Sequence, residues 1–140
     1  MRRVVVTGMG ILSSIGLNKE QVQESLKQGD SGITFSQQFA DMGLRSQVAG
    51  SIDINLDDYR KLKRFMGDGT SYNYLAMQEA IEDSGLEENL VSNTRTGLIM
   101  GTGGGSPENI TFGADSLREK GKVSPFLVTR SMASSNSGCL

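Results

Sequence analysis

Cys139 is the only thiol of this sequence, and the sequence contains no histidine to take its proton. Without an imidazole, neither a Cys/His nor a Ser/His nucleophilic pair can be built from these residues. The same absence removes the commonest metal ligand, and no Cys/Asp/Glu cluster at metal-ligand spacing replaces it. Three stretches keep chemical character. Gly101, Gly103, Gly104 and Gly105 follow the apolar run Thr96, Leu98, Ile99 and Met100 and precede Ser106-Pro107-Glu108. This order predicts a buried strand, a glycine turn and a helix start, the place where α/β proteins hold ligands or partners. It is not a phosphate-cradling P-loop, because no Gly-Lys-Ser/Thr follows. Arg60, Lys61, Lys63 and Arg64 are the only concentrated charge, with Leu62, Phe65 and Met66 as apolar anchors. They read either as a solvated helical turn or as a docking patch for an acidic partner. Gly8-Met9-Gly10-Ile11-Leu12-Ser13 approaches a dinucleotide fingerprint, but Ser13 replaces the third glycine and no strand-end acid follows at the required distance. A tight strand-to-loop turn is the expectation there.

The elements that must position these stretches are marked by their punctuation. Arg3 to Thr7 is β-branched and apolar on both faces, which predicts a central parallel strand. Asn18 with Gln21 resembles a capping box and opens a helix through Gln28, stopped by Gly29, with Val22 and Leu26 inward. Ile33 to Phe39 suggests a short strand followed by a loop, and Gln47 to Ile54 a half-exposed strand or hairpin arm. Thr70 to Ser84 carries Tyr72, Leu75, Ala76, Ala80 and Ile81 at helical spacing, with Asp68 or Thr70 as N-cap and Gly85 as C-cap. A polar loop is expected over Glu87 to Thr94. Pro107 to Lys120 forms the next helix, with Ile110, Ala114 and Leu117 inward and Gly121 as its stop; Ser124-Pro125 repeats the start device for Phe126 to Met132.

Composition bounds the functional classes. The 140 residues carry 14 basic and 16 acidic side chains, so no general basic field points to nucleic acid. No apolar run approaches bilayer length, and the N-terminus lacks a signal peptide's apolar centre. A single cysteine fits a reducing cytosol. The chain stops on small residues, Ala133 to Gly138, that open a packed helix, so it is expected to be a piece of a larger protein.

The segments MRRVVVTGMGILSSIG, GDSGITFSQQFADMGLRSQVAG, RKLKRFM, GLIMGTGGGSPENITFGAD and VTRSMASSNSGCL together resemble the N-terminal part of β-ketoacyl-acyl carrier protein synthases, most closely the bacterial type I condensing enzymes. The resemblance runs through essentially the whole chain. It implies an α/β thiolase-like layered fold, of which this is the incomplete N-terminal half, in a homodimer. The implied reaction transfers an acyl group to a cysteine and condenses it with malonyl-acyl carrier protein after decarboxylation. Residues 1–140 would then be one N-terminal part that ends before the nucleophile, the histidines and the lysine of the family, so no catalytic residue is expected here. Cys139 matches a small-residue helix position upstream of that nucleophile. Arg60, Lys61 and Arg64 match the positions that dock acidic carrier protein, with Lys63 as plain surface; Arg118, Lys120 and Lys122 match a second carrier-facing stretch only loosely. Gly101, Gly103, Gly104, Gly105 and Met132 are placed near the acyl pocket or the dimer seam. No cofactor, metal or nucleotide is implied. The alternative from another class is a non-catalytic module that binds the carrier, and a small nicotinamide-binding protein rests on Gly8 to Ser13 alone.

Overall fold

The ends of the helices Lys19–Gln28 and Pro107–Lys120 fall where capping chemistry puts them. The computed structural model describes residues 3–56 and 64–140. Its elements are α1 Lys19–Gln28, β1 Ile33–Phe35, α2 Gln37–Asp41, β2 Val48–Gly50, α3 Asp68–Ser84, α4 Glu88–Val91, α5 Pro107–Lys120, α6 Phe126–Ser131 and α7 Ser135–Gly138. They divide into a first unit, Met1–Ile54 with Ala76–Gly85, and a second, Asn55–Leu75 with Leu86–Leu140.

In the first unit, the Asn18 side chain accepts the Gln21 amide at 2.9 Å, and Gly29 closes α1 in the left-handed region at φ 75°. The capping box is shifted by one residue, since the Gln21 side chain accepts from the Leu17 amide and not from Asn18. β1 and β2 form an antiparallel ribbon with Ile33 opposite Gly50 and Phe35 opposite Val48. The Ser13–Gly16 turn closes with a 2.9 Å bond from the Ser13 amide to the Gly16 carbonyl. Phe39 belongs to α2, which extends the structured part of this section beyond the expected short strand.

Gly8 and Gly10 explain themselves against α3. A Cβ on Gly8 would lie 2.2 Å from the Ala80 carbonyl oxygen, and one on Gly10 1.8 Å from that of Ala76. Neither glycine has a positive φ, so close approach and not turn geometry selects them. The amides of this loop then find carboxylates in place of a ladder. Ile11 donates to Glu79 at 2.8 Å, Lys19 donates its backbone amide to the other oxygen of Glu79 at 2.7 Å, and Met9 donates to Asp83 at 3.0 Å.

Two expected strands are not strands. Arg3 to Thr7 lies in no ladder, and Val4 is 95% exposed; in the second unit, Thr96 to Met100 is likewise unpaired, with Ile99 96% exposed. β-branched sequence makes a segment suited to a sheet, but a strand exists only where a neighbour accepts its hydrogen bonds, and among the described residues none does. The inward faces also differ from expectation. Val22 is buried but Leu26 is 68% exposed; on α5, Ile110 and Leu117 are exposed while Ser116 is buried. On α3 the buried residues are Thr70 and Ser71, not the apolar stripe, and the helix starts at Asp68, leaving neither Asp68 nor Thr70 as its N-cap.

In the second unit α5 has the predicted bounds. The Ser106 hydroxyl accepts the Asn109 amide at 3.4 Å, Pro107 occupies the first turn, and Gly121 caps the end at φ 64°. Ser106→Ala should lower stability by about 1 kcal/mol, read as a shifted urea midpoint with unchanged slope. The repeat of that device at Ser124-Pro125 is only partial: Pro125 is the N-cap of α6 with no side-chain cap, and Ser124 contributes its carbonyl to the Leu127 amide instead. The expected polar loop after Gly85 contains the single-turn helix α4.

Candidate functional site

The glycine turn closes onto the end of α6. A Cβ on Gly105 would lie 2.0 Å from the Ser131 carbonyl oxygen, to which the Ser106 amide also donates. Gly67 is also confined, less tightly, at 2.7 Å from the Arg130 carbonyl oxygen by the same construction. These contacts leave a cavity of about 270 Å³ whose wall includes Gly104, Gly105, Asn73, Arg130, Met132 and Asn136. Its polar side is fixed: Asn73 donates its side-chain amide to Asn136 at 2.7 Å, and Asn136 donates to the Ala133 carbonyl at 3.0 Å. Ser71, fully buried, donates to the Gly67 carbonyl at 3.2 Å. Met132 is half-exposed and supplies the adaptable apolar element. Of the five positions singled out in the sequence, Gly104, Gly105 and Met132 line this cavity; Gly101 and Gly103 do not, and a Cβ at either would meet nothing within 4 Å. Asn73 and Asn136 escaped the sequence reading because nothing local pairs two asparagines 63 residues apart.

Arg64 is the described member of the basic stretch; Arg60, Lys61 and Lys63 lie outside the described residues. Its guanidinium sits 4.4 Å from the centroid of the Phe126 ring and 5.6 Å from that of Phe65. The two rings meet edge to face, with centroids 5.2 Å apart. Cation–π stacking of this kind is worth about 0.5–1 kcal/mol at an exposed site. It holds the cation in one place while leaving its outer edge to solvent. Among the described residues no carboxylate pairs with it.

Titration shifts occur at the Lys19–Asp83 pair of the first unit, which forms a salt bridge. The hydrogen bond from Lys19, reinforced by the Met9 amide, holds the Asp83 carboxyl below its ordinary value; the same hydrogen bond raises Lys19. Asp83 therefore contributes stability that is present above its unfolded value and lost as pH falls through the folded one. Lys19 contributes stability present below its unfolded value and lost as pH rises through the folded one. Asp83→Asn should flatten both the acid and the alkaline limb of a urea-midpoint profile, by a small amount because the pair is solvated. Unchanged limbs would remove the pair from the account.

Among the described residues, no group of three metal-ligating His, Cys, Asp or Glu side chains occurs, and no helix is long and apolar enough to cross a membrane. Cys139 is a free, half-buried thiol.

The cavity is built from a glycine turn, a methionine, an arginine and an asparagine pair. Comparison with known proteins says which fold this wall belongs to. Residues 1–140 match the family model of the beta-ketoacyl synthase N-terminal domain, and the chain belongs to that family. It is 52% identical over 145 residues to 3-oxoacyl-[acyl-carrier-protein] synthase 1 of Haemophilus influenzae and 49% identical over 146 residues to the same synthase of Escherichia coli. Each alignment covers 100% of this chain and 36% of the relative, so the chain spans about a third of the length of these curated relatives. Among solved structures it resembles a beta-ketoacyl synthase from Burkholderia phymatum, with TM-score 0.76 and 26% identity over 94% of this chain and 34% of that one. It also resembles the ishigamide ketosynthase/chain length factor, with TM-score 0.78 and 27% identity over 96% and 35%. The fold is therefore the N-terminal part of the thiolase-like α/β fold.

Proposed function

We propose that these residues are the N-terminal portion of a 3-oxoacyl-acyl carrier protein synthase of fatty acid biosynthesis, a cytoplasmic homodimer when complete, and that they are not catalytically competent alone. The observation that carries this reading is the match of the whole chain to such synthases at 49–52% identity, over only 36% of their length. In the complete enzyme an acyl group passes from its thioester to a cysteine thiolate contributed by later residues. Malonyl-acyl carrier protein then loses CO₂, and the resulting carbanion attacks the acyl carbonyl, forming the C–C bond and expelling the thiolate. The present residues take supporting parts in that scheme. Arg60, Lys61 and Arg64 dock the acidic carrier. Gly101, Gly103, Gly104, Gly105 and Met132 line the acyl pocket or the dimer seam. Cys139 packs as a small side chain. The bare runs at Val4–Val6 and Leu98–Ile99 are surface for the remainder to cover.

The test is activity against size. A chain of these 140 residues, its length verified by intact mass, should turn over no malonyl-acyl carrier protein, and measured turnover by that chain overturns the reading. A second reading, a non-catalytic carrier-binding module, is favoured by the preset Arg64 stack. It predicts saturable carrier binding by the same chain, again without turnover.

A further inference from the structure

The second unit holds another cavity, of about 350 Å³, beside the C-terminal turn of α5. Lys120, Lys122 and Arg130 line it together with Phe112, Ser116 and Leu127, and no aspartate or glutamate does. None of these cations is paired among the described residues, whereas the neighbouring Arg118 is already held by Asp115 at 2.8 Å. The Arg130 Nε is buried and has no hydrogen-bond partner among the described residues. A buried donor without an acceptor is costly and rare in a finished site, and the acceptor it lacks would come from one of the two cavities that Arg130 borders, this one and the glycine-turn one. The cavity is open to two lysines that flank the Gly121 turn, so the acceptor meets a charge of three cations. The carbonyls at the end of α5 oppose an anion with only about half a charge, and Gly121 already engages one of them, that of Leu117. Phe112, Val123 and Leu127 give the opposite wall an apolar character, while the Ser116 and Ser124 hydroxyls add neutral hydrogen-bonding groups.

We propose that this cavity binds a phosphate monoester carrying a small apolar group, with Lys120, Lys122 and Arg130 on the phosphate and Phe112 and Leu127 against the apolar part. Arginine suits the planar, two-pronged approach to phosphate oxygens and lysine supplies point charge. The proposal stands on these cations and not on the Arg64 stack, although Arg130 also borders the glycine-turn cavity and Lys120 and Lys122 belong to the loosely matched carrier-facing stretch.

The test is a calorimetric titration of the isolated protein at low salt with phenyl phosphate, inorganic phosphate and phenol. Phenyl phosphate should saturate a single site, inorganic phosphate should bind more weakly, and phenol should not bind. The double variant Lys120→Gln/Lys122→Gln, which alters only exposed side chains, should weaken phenyl phosphate by about tenfold or more. Arg130→Lys should retain more of the affinity than Arg130→Gln, with far-UV dichroism showing both variants folded. Absence of saturation, or equal affinity in the double lysine variant, overturns the site. Equal affinity for inorganic phosphate overturns the apolar half of the ligand, and binding of phenol overturns the role of the phosphate.

Discussion

Gly10→Val should remove most of the protein's stability. The first side-chain atom would stand 1.8 Å from the Ala76 carbonyl oxygen, with the Ala76 carbonyl carbon and the Ala80 amide nitrogen each at 2.8 Å. These are backbone atoms in the body of a 17-residue helix, so no rotamer change relieves the overlap. Overpacking of flexible cores costs about 1–3 kcal/mol, and a clash with fixed backbone should reach or pass the upper end. Against a total of about 5–15 kcal/mol, that is enough to shift the thermal midpoint by many degrees or to prevent folding. Gly103→Ala is the control: a Cβ there meets nothing within 4 Å, φ is not positive, and the effect should stay within about 0.5 kcal/mol. Equal behaviour of the two variants in thermal unfolding would show that the loop and α3 do not pack as closely as described.

The second large effect concerns Arg64. If Arg64 docks the carrier as proposed, Arg64→Glu should weaken association with acyl carrier protein by about tenfold or more at low salt, chiefly through a slower on-rate. The exchange replaces a cation fixed on Phe126 with an anion facing an acidic partner, so attraction turns into repulsion. Arg64→Lys keeps the charge and loses the planar stack, and its loss should be smaller. Raising salt until the Debye length falls to a few ångströms should bring all three proteins together. Surface plasmon resonance on immobilised carrier reads both rate and salt dependence; an affinity unchanged by Arg64→Glu would remove this residue from the docking patch.

Helix ends were legible in the sequence at α1 and α5, where the cap is a local event. Ser106-Pro107 and Gly121 bracket α5 because an N-cap hydroxyl, a proline without an amide and a residue in left-handed conformation each act within four residues. What each helix faces was not legible. Leu26, Ile110 and Leu117 have the right spacing for an inward stripe, yet spacing defines a face without supplying the partner that would bury it. The strands failed for the same reason, since Val4 to Val6 and Leu98 to Met100 are strand-like in type and unpaired in fact. Within the candidate site, the confinement of Gly105 depends on Ser131, and the Asn73–Asn136 bond joins α3 to α7, pairings that no local window contains. Glu79 and Asp83 left a faint trace: two acids four residues apart on a helix whose small residues, Ala76 and Ala80, invite a glycine-bearing loop.

The bare runs at Val4–Val6 and Leu98–Met100 carry a consequence for handling and for cellular fate. An uncharged apolar run that lies in no ladder is a template onto which another molecule's strand can zip. Whatever properly covers these runs competes with that self-association, and the competition tilts toward aggregate as concentration rises because pairing between copies is bimolecular.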